Sequence, residues 1–285
     1  MFSLRRPIPA ILGLAATTIT LTAAALAPAH LASASASVRT SPASAAKPTV
    51  VIEAGAWADN SSFAGVVRLL QHDGYTVDVP PNPLQGLTYD SRTLAGFLGT
   101  ISGPVVLVGH SYGGMVITNA AAGNPNVKAL VYVDAYIPAR GDTLQGLTGA
   151  QPGSCLAVPP ADVTNVFTFA PIPGAPASDL DAYVRPGVFA SCFANGLPAR
   201  EGAVLAASQR PLATGTLTDA SGTPAWQAIP SWAVVGTADH VIPPAEQLLM
   251  AIRAHAHTTE VDAPHLSMVS NPGTVTQVIL NAAHA

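Results

Sequence analysis

Residues 105–122 read VVLVGHSYGGMVITNAAA, and this stretch decides the fold expected for the chain. Four apolar residues, Val105 to Val108, predict a buried strand, and the apolar run from Met115 predicts a helix. Between them, glycines flank Ser111 in a Gly-x-Ser-x-Gly pattern, which is typical of a sharp strand-to-helix turn. Such a turn presents the serine hydroxyl at the end of a sheet, beside the positive end of a helix. We therefore predict that Ser111 is a nucleophile.

The chain also offers partners for such a nucleophile. A serine hydroxyl is a weak nucleophile at neutral pH, so it needs a base to take its proton and a buried acid to orient that base. Asp239 follows one predicted strand and His265 follows the next, and both come after Ser111 in the sequence. Since each of the three residues lies just after a strand, they can meet at the carboxyl edge of one sheet.

The rest of the chain alternates short apolar runs with helical periodicity, which is typical of a mostly parallel sheet covered by helices on both faces. The predicted fold class is therefore α/β. A first helix, capped by Asn60 or Ser61, is expected to run to about Asp73, and further helices are expected over 89–101, 115–122, 244–255 and 272–283. Six strands are expected at 49–53, 76–79, 105–108, 129–133, 231–235 and 258–261.

Other polar residues near the candidates have alternative interpretations. Asp134, directly after a predicted strand, could replace Asp239 as the acid, although Asp239 has the better turn context. His110 and His240 each adjoin a candidate in sequence and are predicted to be structural. The eight histidines are scattered rather than set at metal-ligand spacings, so we expect no metal site.

Three motifs together resemble the α/β-hydrolase superfamily. They are the serine turn at 109–114, the Gly-Thr-Ala-Asp turn at 236–239, and the Pro-His-Leu-Ser-Met sequence at 264–268. Within this superfamily they are similar to the branch of plant methyl esterases, hydroxynitrile lyases and bacterial esterase relatives. The resemblance covers nearly all of residues 49–283, and it implies an α/β-hydrolase fold with an inserted cap.

The resemblance implies a role for each candidate. Ser111 is the nucleophile, His265 the general acid and base, and Asp239 its orienting carboxylate. The backbone N–H groups of Tyr112 and Ala56 form the oxyanion hole. The implied function is hydrolysis of carboxylic esters through an acyl-enzyme intermediate, without a cofactor.

Two departures from the family pattern affect this prediction. Relatives usually carry His-Gly at the end of the first strand, whereas this chain has Glu53-Ala54-Gly55. A buried carboxylate is costly unless paired, so Glu53 either forms a local ion pair or carries a raised pKa. Because of this change at Glu53 and Ala54, a non-catalytic binding protein is an alternative.

The residue after the catalytic histidine is the second departure. Hydroxynitrile lyases of this branch have a lysine there, whereas this chain has Leu266, which disfavours the lyase activity. Perhydrolysis is a further alternative.

The amino-terminal residues have the pattern of an export signal. Arg5 and Arg6 precede an uncharged apolar run and then small residues, which predicts a signal peptide over residues 1–36 and a flexible leader over 37–48. A retained membrane anchor is the alternative, although the apolar run is short for a membrane span. We therefore expect a secreted protein.

The remaining residues are expected to form one hydrolase core, 49–136 and 231–285, interrupted by a cap at 137–230 that is rich in proline and glycine. Cys155 and Cys192 both lie in this cap and predict a disulfide in an exported chain, with two buried free thiols as the alternative. Trp57, Phe167 and Phe189 are candidate pocket residues.

The charge balance limits the expected partners. Without Arg5 and Arg6 the chain has 10 basic residues (12 − 2) against 16 acidic ones, which does not suit nucleic acid or an anionic membrane. The expected partner is a small-molecule ester, and the oligomeric state stays open.

Overall fold

A six-stranded parallel sheet forms the centre of the computed structural model, which describes residues 47–285. The predicted signal peptide and residues 37–46 of the predicted leader lie outside the described residues. The nine strands of the described chain are β1 (Thr49–Glu53), β2 (Val77–Asp78), β3 (Val105–His110), β4 (Val127–Val133), β5 (Phe167–Pro171), β6 (Leu180–Val184), β7 (Leu212–Ala213), β8 (Ser231–Gly236) and β9 (His257–Val261).

The central sheet has the order β2-β1-β3-β4-β8-β9, and all five neighbouring pairs are parallel. Every residue of β3 is buried, because β3 lies between β1 and β4 and is covered on both faces. The α/β prediction is confirmed, and all six predicted core strands are present. Strand β3 runs two residues further than predicted, to His110, which brings it directly to Ser111.

Ten α-helices accompany the strands in residues 47–285. They are α1 (Ala64–His72), α2 (Leu87–Leu98), α3 (Tyr112–Ala120), α4 (Leu144–Thr148), α5 (Val163–Val166), α6 (Pro186–Val188), α7 (Ala199–Ala207), α8 (Pro244–Arg253), α9 (Ser267–Ser270) and α10 (Pro272–Ala283). Helix α1 packs against α10, and α2 packs against α3. Since strand order reverses between β1 and β3 and such crossovers are right-handed, these two pairs cover opposite faces of the sheet.

Three helix starts differ from the prediction, one of them being α2, which begins at Leu87 rather than at residue 89. A 3-10 helix, Asn60–Phe63, precedes α1, and its cap is Asp59, whose side chain accepts a 2.8 Å hydrogen bond from the Ser61 N–H. Asp59 therefore caps this end rather than Asn60 or Ser61. Helix α3 begins at Tyr112, three residues before the predicted start at 115, because the glycines after Ser111 already form its first turn.

Residues 137–230 lie between β4 and β8 and contain a second, antiparallel sheet of the order β5-β6-β7. Cys155 and Cys192 form a disulfide with their Cα atoms 6.3 Å apart, as predicted. A single π-helical turn, Phe189–Phe193, contains Cys192. Of the helices in residues 47–285, none has both the length and the apolar character to cross a membrane.

Candidate active site

Ser111 lies between the end of β3 and the start of α3 in a strained backbone conformation. Its φ of 54° and ψ of −125° fall in a region that residues with a side chain rarely occupy. The Ser111 carbonyl accepts hydrogen bonds from the N–H groups of Gly114 (3.0 Å) and Tyr136 (3.2 Å), and its own N–H donates to Val133 O (3.3 Å). These bonds to β4 and its following loop hold the strained turn in place.

The glycines around Ser111 are required by close backbone contacts. A Cβ atom at Gly109 would lie 2.7 Å from Gly113 O. A Cβ atom at Gly113 would collide with the carbonyl oxygen of Glu53 on the neighbouring strand. Because backbone atoms cannot move aside as a flexible side chain can, a side chain at either position would distort the serine turn.

Replacing Gly113 with alanine is therefore expected to lower the free energy of unfolding by about 3 kcal/mol and to reduce ester hydrolysis. Gly96, in α2, is a matched control, since a Cβ atom there meets nothing within 4 Å. Gly96→Ala should stabilise the protein by about 0.5–1 kcal/mol, because alanine favours the helix. Urea unfolding of both variants measures the difference, and equal stability of the two would contradict the explanation.

The structure brings the three candidate catalytic residues into one hydrogen-bonded series. His265 Nε2 lies 2.9 Å from Ser111 Oγ, and His265 Nδ1 lies 2.8 Å from Asp239 Oδ2. All three side chains are buried. The residues come from the ends of β3, β8 and β9, so the sheet positions all of them.

The surroundings of Asp239 determine which nitrogen of His265 carries the proton. Asp239 Oδ1 accepts hydrogen bonds from the N–H groups of Val241 (2.7 Å) and Ile242 (3.0 Å), and Oδ2 accepts one from Gln247 Nε2 (2.7 Å). Each oxygen thus faces donors, so His265 Nδ1–H completes the set by donating to Oδ2. His265 Nε2 is then left as an acceptor for the Ser111 hydroxyl.

Burial shifts the titration of both groups. It lowers the pKa of His265 to about 3, which keeps the imidazole neutral at pH 7 and able to accept a proton. Burial also raises the pKa of Asp239, and the hydrogen bonds from Ile242, Val241 and Gln247 oppose that rise. A neutral histidine beside a hydroxyl has the protonation state that a general base requires.

Two backbone N–H groups are available next to Ser111. Within residues 47–285, neither Tyr112 N–H nor Ala56 N–H donates to another protein group. The loop after β1 lies against the serine turn, since a Cβ atom at Gly55 would be 2.7 Å from Ser111 Cβ and 3.2 Å from Tyr112 N. This arrangement has the elements of the oxyanion hole expected from the sequence.

Asp134, the alternative acid, has different partners. Its Oδ1 accepts a 2.9 Å hydrogen bond from Gly236 N–H, and its Oδ2 accepts a 3.0 Å bond from Ser267 N–H. Burial is the main cause that raises its pKa, followed by the nearby charge of Asp239. Asp134 therefore connects the end of β8, just before Asp239, with the start of α9, just after His265. It makes no hydrogen bond to the His265 ring.

The two histidines predicted to be structural differ in burial, since His110 is buried and His240 is exposed. His110 is fully buried, and its Nε2 lies 2.9 Å from the backbone oxygen of His265. The side chains of His72, His240, His255 and His257 are exposed. In residues 47–285, no group of three or more histidine, cysteine or acidic side chains is arranged to hold a metal ion.

Glu53 is buried beside the serine turn, with 2% of its surface exposed. Burial raises its pKa well above the usual value, the charge of Asp90 raises it further, and Arg210 lowers it. No ion pair of Glu53 occurs within 4.0 Å among the described residues, so of the two expectations the raised pKa fits the structure. The neighbouring Ala54 uses its carbonyl, which accepts a 2.9 Å hydrogen bond from Asn82 Nδ2.

Replacing Glu53 with glutamine should change how stability depends on pH. A carboxyl whose pKa is higher in the folded state than in the unfolded state stabilises the protein at low pH, and this contribution disappears as pH rises through the folded pKa. Glutamine does not ionise, so the variant does not lose this contribution. As the pH rises above about 4.5, the free energy of unfolding should therefore fall in the wild type relative to the variant. Urea unfolding across the pH range measures this.

The same substitution should alter the pH profile of ester hydrolysis. Ionised Glu53 places a negative charge behind the oxyanion loop, so the wild type should lose rate at high pH relative to the variant. Identical pH profiles for the two proteins would show that Glu53 does not titrate near the reacting atoms.

A cavity of about 490 Å³ opens beside Ser111, and many of its lining residues belong to the segment 137–230. Of the three candidate pocket residues, Trp57 and Phe167 line this cavity and Phe189 does not. The Phe189 ring is fully buried and stacks on Phe193 at 5.0 Å, so it packs within residues 137–230 instead. No lining side chain carries a charge; the lining residues are Trp57, Ser111, Tyr112, Tyr136, Leu144, Gln145, Thr148, Gly149, Leu156, Ala157, Val158, Pro160, Val163, Phe167, Phe169, Ala182, Leu212, Thr214, Leu217 and Val241.

Three residues of the site carried no signal in the sequence. Gln247 binds the Asp239 carboxylate, Phe193 packs its ring edge against the His265 ring, and Asp90 accepts a 2.7 Å hydrogen bond from the Tyr112 hydroxyl. Each contact joins residues from different elements. Only the folded chain brings them together.

Comparison with known proteins supports the fold and the family. A carbendazim hydrolyzing esterase from Nocardioides sp. (strain SG-4G) is 34% identical over 110 residues, which cover 34% of this chain and 46% of that relative. A pyrethroid hydrolase from Sphingobium faniae JZ-2 has a similar structure, with a TM-score of 0.64 and 22% identity over 84% of this chain and 98% of the other. Polyneuridine aldehyde esterase gives a TM-score of 0.70 and 18% identity over 83% and 99%.

The family is shown by a match over most of the chain. The sequence profile described as the Alpha/beta hydrolase family matches residues 50–278, which include all three candidate catalytic residues. With the parallel sheet and the serine turn at the end of β3, this match leads to one conclusion: the chain belongs to the alpha/beta hydrolase family.

Proposed function

We propose that this protein hydrolyses neutral carboxylic esters, with Ser111 as nucleophile, His265 as general base and acid, and Asp239 as the orienting carboxylate. The observation that carries the proposal is the buried series from Ser111 Oγ to His265 Nε2 (2.9 Å) and from His265 Nδ1 to Asp239 Oδ2 (2.8 Å). The esterase name of the Nocardioides relative supports the same reaction class.

The reaction proceeds in two halves. Ser111 Oγ attacks the ester carbonyl while His265 Nε2 takes its proton, and the N–H groups of Tyr112 and Ala56 stabilise the oxyanion. His265 then protonates the leaving alcohol, which leaves an acyl group on Ser111. In the second half, His265 takes a proton from water while the water oxygen attacks the acyl carbonyl. The bond from that carbon to Ser111 Oγ then breaks, His265 returns the proton to Ser111 Oγ, and a carboxylic acid is released.

The cavity favours an uncharged substrate. A charged group loses its hydration on entering a mainly apolar cavity, and the lining residues offer no opposite charge to compensate. Polar contacts come from a few groups such as Gln145 and Thr214. Both the acyl and the alcohol part of the preferred ester should therefore be neutral.

The alternative functions fit the site less well. A lyase of the hydroxynitrile type needs a lysine after His265, whereas Leu266 is fully buried there. A purely binding protein has no need for the bonded arrangement of Ser111, His265 and Asp239. Perhydrolysis would use the same acyl-enzyme, with peroxide in place of water. We therefore keep it as a secondary activity of the proposed esterase.

Export is part of the proposal. The charged and apolar pattern of residues 1–36 and the Cys155–Cys192 disulfide both support an oxidising destination. The proposed organisation is a hydrolase core, 49–136 and 231–285, with residues 137–230 as its cap. Intact mass of protein collected from the culture medium of an expressing cell tests removal of the signal peptide.

Hydrolysis and active-site labelling test the proposed activity together. The protein should hydrolyse p-nitrophenyl acetate and butyrate and react with a fluorophosphonate probe, and peptide mass should locate the probe on Ser111. The Ser111→Ala protein serves as the blank. A matched p-nitrophenyl ester with a free carboxylate on its acyl chain should react more slowly than the butyrate. Absence of both turnover and labelling would favour the binding protein instead.

A further inference from the structure

The cap makes a set of contacts to the turn that carries Asp239, which we call the acid turn (residues 238–242). Asn195 Nδ2 donates to Ala238 O (2.8 Å), Cys155 N–H donates to His240 O (2.9 Å), and Ser154 Oγ donates to Val241 O (2.7 Å). The acid turn therefore has three of its carbonyl groups bound by cap residues, on both sides of Asp239.

The disulfide joins the two cap segments that make these contacts. Cys155 follows Ser154 directly, and Cys192 lies three residues before Asn195. Cys192 Sγ also lies 3.6 Å from His240 O. The bond between the two cysteines thus fixes both groups of donors relative to each other, although neither cysteine touches the triad.

The same cap segment reaches the other member of the pair, His265. Phe193, adjacent to Cys192, packs its ring edge-on to the His265 ring, with centroids 5.2 Å apart and an interplanar angle of 84°. It also packs against the Trp57 ring at 5.7 Å and is fully buried. Residues 192–195 therefore contact the histidine on one side and the acid turn on the other.

The hydrogen bonding of Asn195 argues for more than a role in stability. Its amide nitrogen has the one bond to Ala238 O, while its buried Oδ1 has no hydrogen-bond partner in residues 47–285. A buried polar atom without a partner costs free energy. An apolar side chain of similar size would remove this cost but would also leave Ala238 O without its donor, so the two effects on stability largely offset each other. The amide at position 195 is therefore explained by its hydrogen bond to Ala238 O, which holds the acid turn.

We propose that the disulfide-linked cap segment, residues 192–195 with Ser154 and Cys155, positions the Asp239–His265 pair for catalysis, with Asn195 and Phe193 as its positioning residues. This inference rests on the proposed function for its catalytic consequence. The cap would then shape the cavity and also set the geometry of the acid and base below it.

Asn195→Leu tests the proposal because it separates positioning from stability. The variant should unfold at nearly the same temperature as the wild type, because the lost bond to Ala238 O and the removed unpartnered oxygen offset each other. Its kcat should nevertheless fall about tenfold with KM changed less than about twofold, since small displacements of catalytic groups slow the chemical step. Reduction of the Cys155–Cys192 disulfide should also lower kcat.

Gln209→Met provides the matched control. Gln209 also lies in the cap. Its Oε1 accepts a hydrogen bond from Val184 N–H and its Nε2 donates one to Val184 O, but it makes no hydrogen bond to the acid turn. Its replacement should lower thermal stability while leaving kcat close to the wild-type value. If Asn195→Leu and Gln209→Met affected kcat equally, the cap would act only through general stability, and the proposal would be wrong.

A spectroscopic readout keeps the inference testable apart from the reaction. The proton on His265 Nδ1, hydrogen-bonded to Asp239, should give a far-downfield proton NMR resonance in the wild type. This resonance should shift or broaden in Asn195→Leu and stay unchanged in Gln209→Met. Lack of ester hydrolysis by the wild type would overturn the proposed function, whereas an unchanged resonance in Asn195→Leu would overturn the positioning role.

Discussion

Replacing His265 with alanine is expected to lower kcat for ester hydrolysis by about 10⁴- to 10⁶-fold. Without the imidazole, no group lies within hydrogen-bond distance of Ser111 Oγ to take its proton, because His265 Nε2 is its hydrogen-bond partner in residues 47–285. The fluorophosphonate probe should also label Ser111 far more slowly.

The double variant Ser111→Ala/His265→Ala gives a sharper measurement. If the two residues act in one proton transfer, removing both should cost no more than removing either one. Steady-state kinetics on the two single variants and the double variant measure this, and thermal unfolding checks that each is folded. Rate losses that multiply in the double variant would mean that Ser111 and His265 act independently.

Replacing Asp239 with asparagine is expected to lower kcat by about 10⁴-fold. The new amide would place a donor where Oδ2 now accepts from His265 Nδ1 and Gln247 Nε2, so the histidine would be driven towards the opposite tautomer. His265 Nε2 would then carry the proton and could not accept the one from Ser111. The geometry should be nearly unchanged while the chemistry is lost.

Asp134→Asn is the comparison that identifies the acid. Its two oxygens bind the N–H groups of Gly236 and Ser267, so the variant loses one backbone hydrogen bond, which costs about 1–3 kcal/mol of stability. We expect its kcat to fall by less than about tenfold, since its carboxylate does not orient the imidazole. A loss for Asp134→Asn as large as that for Asp239→Asn would reverse the assignment of the acid.

The serine turn shows why part of this site can be predicted from the sequence. Gly109, Ser111 and Gly113 lie within five residues, and the turn they form depends on backbone conformation and on the absence of Cβ atoms near one another. The strands before and after it follow from apolar runs that alternate with helical periodicity. Such local patterns identified the α/β class and the positions of all six core strands.

Contacts between distant elements are a different matter. Two aromatic residues of the segment 137–230 illustrate this. Phe167 and Phe189 looked alike as candidate pocket residues, but Phe167 lines the cavity while Phe189 stacks on Phe193. The direction in which a side chain points within an irregular, proline-rich segment depends on the packing of all its neighbours. No spacing in the sequence carries that information.

The sequence by itself determined that a serine stands on a strained turn after a buried strand, with an aspartate and a histidine following later strands, because these features depend on residues next to each other in the chain. Only the tertiary structure decided that Asp239 rather than Asp134 binds His265, and that Asn195 and Cys155 donate hydrogen bonds to the turn that carries Asp239. The Asp239–His265 pair lies 26 positions apart in sequence, the Asn195–Ala238 pair 43, and the Ser111–His265 pair 154. Hydrogen bonds of that kind are fixed by how strand ends and loops pack in three dimensions.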